Sequence, residues 1–223
     1  MVIWTISGFY MVVVDIDIIH GDHLVKPVDN KQNLSLAIDN SISFTDIAKA
    51  NPMARSISLT VLRGQNVYKI ESSIGVKLIN ALNGETLPPL NEAQASLAAA
   101  DRYAANGKVK KATLIKHNPP NEIGSRPLPI WRVDFDDAWG SSFYIAPLTG
   151  ELLTRRHTLW RVFDFVWMLH IMDYDERENV NNLLLRIVSL LAVLLVLSGV
   201  WFLYFRLNVR GWLVRRRLAR RST

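Results

Sequence analysis

The sequence contains no cysteine. Disulfides, thiolate metal sites and cysteine nucleophiles are therefore excluded, and any folded part must hold together through its core alone. Several short catalytic motifs are missing as well: there is no glycine-rich phosphate loop, no His-Glu-x-x-His and no serine in a nucleophile-elbow context. All charge is missing from one stretch and negative charge from the next. From Ile187 to Phe205 nineteen consecutive residues carry none, and from Arg206 to Thr223 seven arginines face no acid. The formal net charge of +6 is thus local to the tail, and the remainder of the chain is close to neutral, at about −1. A basic block beside an apolar run is explained by membrane topology and anionic lipid headgroups, so the composition gives no reason to expect nucleic acid as a partner.

The apolar run Leu183–Phe205 (LLLRIVSLLAVLLVLSGVWFLYF) has the length that a hydrocarbon core of ~30 Å demands of a helix, about 20 residues. A buried core helix of that length would ordinarily carry a polar stripe. Residues 183–205 are therefore expected to form a transmembrane helix, with the lipid bilayer as partner. The flank before it reads Asp173, Asp175, Glu176, Arg177, Glu178, against the arginines that follow it. By the positive-inside rule residues 206–223 are a basic cytoplasmic tail, and the chain from about residue 20 to 182 lies on the far side.

Val2–Val14 is apolar but spans only ~20 Å as a helix before Asp15 and Asp17 interrupt it. It has no basic n-region and so makes a poor signal peptide. Either it dips into the bilayer, or residues 1–19 are the later part of an N-terminal transmembrane helix that begins upstream of Met1; the second is preferred. Next comes Asp15-Ile-Asp17-Ile-Ile-His20-Gly-Asp22-His23, with imidazoles and carboxylates at short spacing. His20 and His23 are candidate metal ligands, although polar residues that end a helix at an interface give the same pattern.

Residues 20–42 are polar and irregular and are expected to be a linker. Ser43-Phe-Thr-Asp46 then opens a short helix over 44–50, stopped by Asn51-Pro52. Ile57, Leu59 and Val61 alternate with polar residues as in a strand, and strands around 66–72 and 75–82 follow, the first entered by a turn at Arg63-Gly64. The order recurs after Pro88-Pro89. Asn91 and Gln94 signal a capped helix over 92–105 ending at Asn106-Gly107, and strands are expected over 109–116, 130–136 and 142–148. Val67-Tyr-Lys-Ile-Glu71 parallels Ile130-Trp-Arg-Val-Asp134, and Asn83-Gly84-Glu85 parallels Thr149-Gly150-Glu151. The fold class is α+β, built from tandem α-β-β-β units over 43–90 and 91–156, with alternation placing Trp131, Val133 and Phe135 under a helix.

A unit of this kind closing on a Thr-Gly-Glu turn resembles the PepSY domain, and the whole arrangement resembles the PepSY-associated transmembrane proteins of bacterial inner membranes. Three passages carry the resemblance: Trp4-Thr-Ile-Ser-Gly8-Phe-Tyr, Tyr144-Ile-Ala-Pro-Leu-Thr-Gly-Glu151, and Leu169-His170 followed by the Leu183–Phe205 helix with Ser198-Gly199. The resemblance implies an extracytoplasmic, periplasmic domain flanked by transmembrane helices. In some members it implies haem-dependent reduction of ferric siderophores; other PepSY modules look like inhibitors or binding modules for peptidases and envelope proteins. Two departures from the larger reductase-like members stand out. One convincing spanning helix is present, and no His-Arg/Lys-Trp stretch precedes Val2.

Residues 157–182 form the segment before the anchor, aromatic from Trp160 to Trp167 and expected to lie at headgroup level. His170 sits in it. A neutral imidazole there can ligate haem iron, while a histidine in an amphipathic segment can equally be an interfacial residue with its own partners. The resemblance at Leu169-His170 implies ligation of a b-type haem, with His20, His23 or a second copy of the chain in a homodimer supplying the other axial ligand. Asp134, Asp136 and Asp137 form an acidic patch of the kind that exposed strands and hairpins routinely carry, and the loop 117–129 is long enough to be a contact surface.

Overall fold

The computed structural model describes residues 2–27, 41–175 and 177–207; the expected tail beyond 207 and most of the expected linker lie outside them. The protein is mixed α and β with two antiparallel sheets. The chain divides into two compact units, the first drawn from Met1–Val13 and Asp164–Thr223, the second Val14–Phe163.

In the second unit, helix α3 (Phe44–Ala50) is capped by Ser43 and precedes strands β1 (Ala54–Leu62), β2 (Gln65–Ser72) and β3 (Gly75–Asn80). They pair in the order β1-β2-β3. Arg63 and Gly64, both at positive φ (55° and 72°), form the two-residue hairpin turn whose twist suits adjacent strands. One face of the sheet packs Tyr68, Ile70 and Ile79 with Ile47 of α3. Val67 and Leu78 on the other face are fully buried. The Arg63 guanidinium donates to the carbonyls of Pro88, Pro147 and Leu148, tying this sheet to the next.

The second sheet runs β4 (Val109–Ile115), β5 (Ile130–Phe135), β6 (Ser142–Ile145) and β7 (Leu152–Arg156), in that spatial order. Helix α4 (Glu92–Arg102), with the expected capping box of Asn91 and Gln94, lays Ala95 and Ala99 on Trp131, Val133, Phe135, Phe143 and Ile145. Alanines let the helix approach an aromatic sheet face closely. The two halves share local detail. Each first strand carries a register shift, after Ala54 and after Val109. In each turn a glycine with left-handed φ (73° at Gly84, 77° at Gly150) donates to the carbonyl four residues back, at 2.9 Å in both. The nitrogens of Asn80 and Ala146 pair with the carbonyls of Glu85 and Glu151 at 2.8 and 2.9 Å.

Three boundaries differ from expectation. Helix α4 stops at Arg102, not 105, because Tyr103 leaves in extended conformation, stacks on Phe135 with ring centres 3.9 Å apart and bridges to Val25. The start of the expected linker is accordingly structured: Asp15 caps helix α2 (Ile16–His20), a 3-10 turn follows over Asp22–Leu24, and Leu24 joins the core. Beyond β6 the chain adds β7, whose sequence Leu-Leu-Thr-Arg-Arg shows no alternation. Its counterpart in the first half shrinks to a single bridge between Ile79 and Thr86.

In the first unit, helix α1 (Val2–Val13) buries Ser7 (4% exposed) and turns Ile6, Phe9 and Val12 outward, Val12 at 86%. Helix α5 (Thr158–Ile171) begins in the second unit and ends in the first. Helix α6 (Leu183–Arg206), capped by Asn182, is the one helix among the described residues long and apolar enough to cross a bilayer, roughly 36 Å at 1.5 Å per residue. That points to membrane association. Arg186, one turn inside it, reaches back to the Asn181 side-chain oxygen at 2.7 and 3.0 Å.

Phe143 is fully buried between Tyr103 and Phe135. Phe143→Ala is expected to cost about 3–5 kcal/mol in chemical denaturation, whereas Ser58→Ala on exposed strand β1 stays within about 0.5 kcal/mol.

Candidate functional site

His170 is half-buried in the last turn of α5, against α1. Its Nδ1 lies 3.0 Å from Ser7 Oγ and 3.3 Å from the Trp4 carbonyl oxygen. A carbonyl only accepts, so the ring proton sits on Nδ1 and the Nε2 lone pair is left outside these bonds. Ser7 in turn donates to the Trp4 carbonyl at 2.9 Å. Trp4 returns the contact, its indole N–H donating to the His170 carbonyl at 3.0 Å while its ring stacks on the imidazole at 5.3 Å and 4°. Gly8 makes the approach feasible: a Cβ there would meet His170 Cε1 at 3.1 Å. The Trp4-x-x-Ser7-Gly8 spacing thus puts an indole, a hydroxyl and a bare backbone on one side of a helix otherwise apolar.

His20 and His23 lie in the second unit. His20 is the exposed last residue of α2, and its carbonyl accepts from Arg155 at 3.0 Å. His23, exposed, sets its ring edge-on to Trp139 and to His157. The carboxylates around them are engaged otherwise, Asp15 as the α2 cap and Asp22 in an ion pair with Arg155. Among the described residues no group of three or more His, Cys, Asp or Glu could hold a metal ion.

His157 is the residue that periodicity could not single out. It is fully buried at the end of β7, with Nε2 3.1 Å from the carbonyls of both Ile18 and Ile19. Burial lowers its pKa against the opposing pull of these two carbonyls, so the ring is held neutral.

On the second sheet's other face, Glu122 of the 3-10 turn Asn121–Ile123 receives Arg161 Nε at 2.8 Å and the Tyr144 hydroxyl, with Arg132 at 3.9 Å. Burial alone would raise this carboxyl; the hydrogen bonds from Arg161 and Tyr144 and the charges of Arg161 and Arg132 outweigh it and hold the carboxyl below its usual range. The loop 117–129, expected as a contact surface, is thereby clamped to the sheet, and Ile123 is fully buried. The acidic patch is internally satisfied as well. Asp134 accepts from Arg132 and Ser142, Asp136 from the Lys108 amide, and Asp137 from Ser141 and Tyr103.

The chain's other histidines, His20, His23, His117 and His157, all fall in the second unit. The donor set of the first unit therefore fits one axial imidazole ligand to a haem iron, His170, and not a bis-histidine pair. Comparison of the chain with family models, curated proteins and solved structures gives no match.

Because His157 has a folded pKa below its ordinary 6.5, the unfolded chain protonates first. Its contribution is whole above the unfolded value and is lost as pH falls. The melting temperature is expected to drop between about pH 7 and pH 5, and His157→Gln to flatten that limb; a flat wild-type profile would contradict a neutral buried His157.

Proposed function

We propose that the chain is a PepSY-associated protein of the bacterial inner membrane, with α6 as anchor, the second unit on the periplasmic side and the C-terminus cytoplasmic. In this reading it takes part in haem-dependent electron transfer to ferric siderophores, as a reductase or a component of one. Two features support the membership: the motifs named above, and the matched glycine turns and strand bulges of the two sheets. One observation carries the electron-transfer reading, namely His170 fixed through Nδ1 with its Nε2 lone pair outside those bonds.

A ligating histidine characteristically gives its other N–H to a carbonyl or carboxylate, which fixes the tautomer and raises its basicity. Ser7 and the Trp4 carbonyl do this for His170, and Gly8 leaves the ring its place. A b-type haem held there would supply one-electron chemistry, with its potential governed by the axial ligand and by the dryness of the surroundings. A second ligand to the haem would come from a second copy of the chain. Expressed with ample haem, the protein is expected to show a Soret band that His170→Ala abolishes and Ser7→Ala weakens, with haem affinity falling roughly 10-fold or more. A colourless wild-type protein would sink the proposal.

A second reading, a non-enzymatic module that scaffolds or inhibits an envelope protein, rests on the first sheet. There an open groove of about 350 Å³ is lined by Met53, Ile70, Ile74 and Val76, with Met53 79% and Ile74 95% exposed, beside the Gly75–Lys77 end of β3, the edge strand of its sheet. An extended segment adding to that edge would cover it. Under this reading, retention of a periplasmic partner by the full chain survives His170→Ala and is lost in Ile74→Glu; the opposite pattern favours electron transfer.

A further inference from the structure

Three rings of the second unit, His23, Trp139 and His157, stand at the corners of a near-equilateral triangle. Their centres are 5.9 Å (His23 to Trp139), 6.1 Å (His23 to His157) and 6.0 Å (Trp139 to His157) apart. His157 is fully buried, and its Nε2 proton is committed to the Ile18 and Ile19 carbonyls. The other ring nitrogen, Nδ1, therefore carries a lone pair. It too is buried, and it has no hydrogen-bond partner. A buried acceptor without a donor is rare enough in folded proteins to require a reason.

The spacing of the two imidazoles supplies one. Joined by an N–H···N hydrogen bond of about 2.9 Å, with each nitrogen ~1.1 Å from its ring centre, two imidazoles would have centres no more than roughly 5.1 Å apart. Joined end to end through one ion, at metal–nitrogen distances of about 2.0 Å, they would have centres up to roughly 6.2 Å apart. The observed 6.1 Å exceeds the first limit and lies within the second. The planes cross at 70°, which a bridge along the line of centres tolerates because either ring can turn about that axis.

The neighbours define the class of ion. No third donor stands free: the Asp22 carboxylate is paired with Arg155, and the residues here form no group of three His, Cys, Asp or Glu. Zinc sites take four ligands and calcium six or more, nearly all oxygen. Two neutral imidazoles alone suit a soft monovalent ion that accepts linear coordination, and the Trp139 ring stands about equally far from both. The Arg161 guanidinium, the nearby positive charge, is offset by Glu122. His23 and Trp139 are exposed, so an ion can enter from their side without unfolding the core. We propose that His157 Nδ1 and His23 bind one monovalent d10 cation, Cu(I) or its stand-in Ag(I), beside Trp139.

The full chain in detergent, under anaerobic conditions, is titrated with Cu(I) against a chromophoric chelator. One equivalent is expected to be retained, and X-ray absorption of the loaded protein should show a two-coordinate nitrogen shell at about 2.0 Å. His23→Ala, which removes only an exposed ring, and His157→Gln are expected to lower the affinity roughly 10-fold or more. His20→Ala and His170→Ala should bind as wild type does, which separates this site from haem ligation. Ag(I) should raise the melting temperature of the wild type and not of His23→Ala. Surrender of all Cu(I) by the wild type to the chelator, wild-type affinity in His23→Ala, or tighter binding of Zn(II) than of Cu(I) would each overturn the proposal. The His23→Ala result stands even if His157→Gln does not fold.

Discussion

A histidine N–H facing a main-chain carbonyl is the contact by which the beginning of this chain is held to its end. His157 reaches the carbonyls of Ile18 and Ile19, 139 and 138 residues away, and His170 reaches that of Trp4, 166 residues away. With no cysteine to staple distant segments, such long-range attachments rest on packing and polar pairing alone. Both histidines are also tolerated only because something small sits beside them. Gly8 lies against the His170 ring and Gly21 against that of His157, where an added Cβ would come within 3.1 Å of each. Gly21 carries a second duty, since its φ of 71° ends α2 and turns the chain toward Leu24.

The two sheets differ in how much is built over them. The second is covered on one face by α4 and on the other by the 117–129 loop, which Glu122 fastens through Arg161 and Tyr144. Breaking such a buried carboxylate from its guanidinium partner leaves an uncompensated charge, so the clamp is all-or-none in character. The first sheet has the seven-residue α3 above one face and buries Val67 and Leu78 on the other, and its fourth strand is reduced to one bridge. Exposed apolar side chains accordingly gather on the first sheet, at Met53, Ile74 and Val76.

The sequence revealed elements wherever local chemistry and burial agreed. Helices α3 and α6 were legible from a cap and an apolar run, and the β5 faces from strict alternation, with Trp131, Val133 and Phe135 buried. The failures have a common cause in tertiary contact. Tyr103 ends α4 early because its ring finds Phe135, which no helix propensity reports. Strand β7 pairs without alternating, its Arg155 and Arg156 being absorbed by carbonyls of His20, Gly21 and Glu122. The short spacing of His20 and His23 drew attention as a cluster, yet His23 meets His157, distant in sequence and embedded in a run of arginines. Spacing along the chain finds ligands that share a turn, and it cannot find a pair assembled by a strand and a 3-10 turn.

His157 and His170 solve one chemical problem in two settings. An imidazole has two nitrogens, and committing the proton of one to a carbonyl fixes the tautomer and leaves a lone pair on the other. At His170 the committed nitrogen is Nδ1 and the ring is half-buried between helices, so Nε2, the far end of the ring, carries the lone pair. At His157 the commitment is reversed: Nε2 is tied down, and the lone pair on Nδ1 is sealed among aromatic rings. The far nitrogen of an imidazole stands away from its own backbone. The near one lies beside its own backbone, and at His157 it is buried without a hydrogen-bond partner. The choice of which nitrogen faces the carbonyl is made by the helices of the first twenty residues, α1 for His170 and α2 for His157.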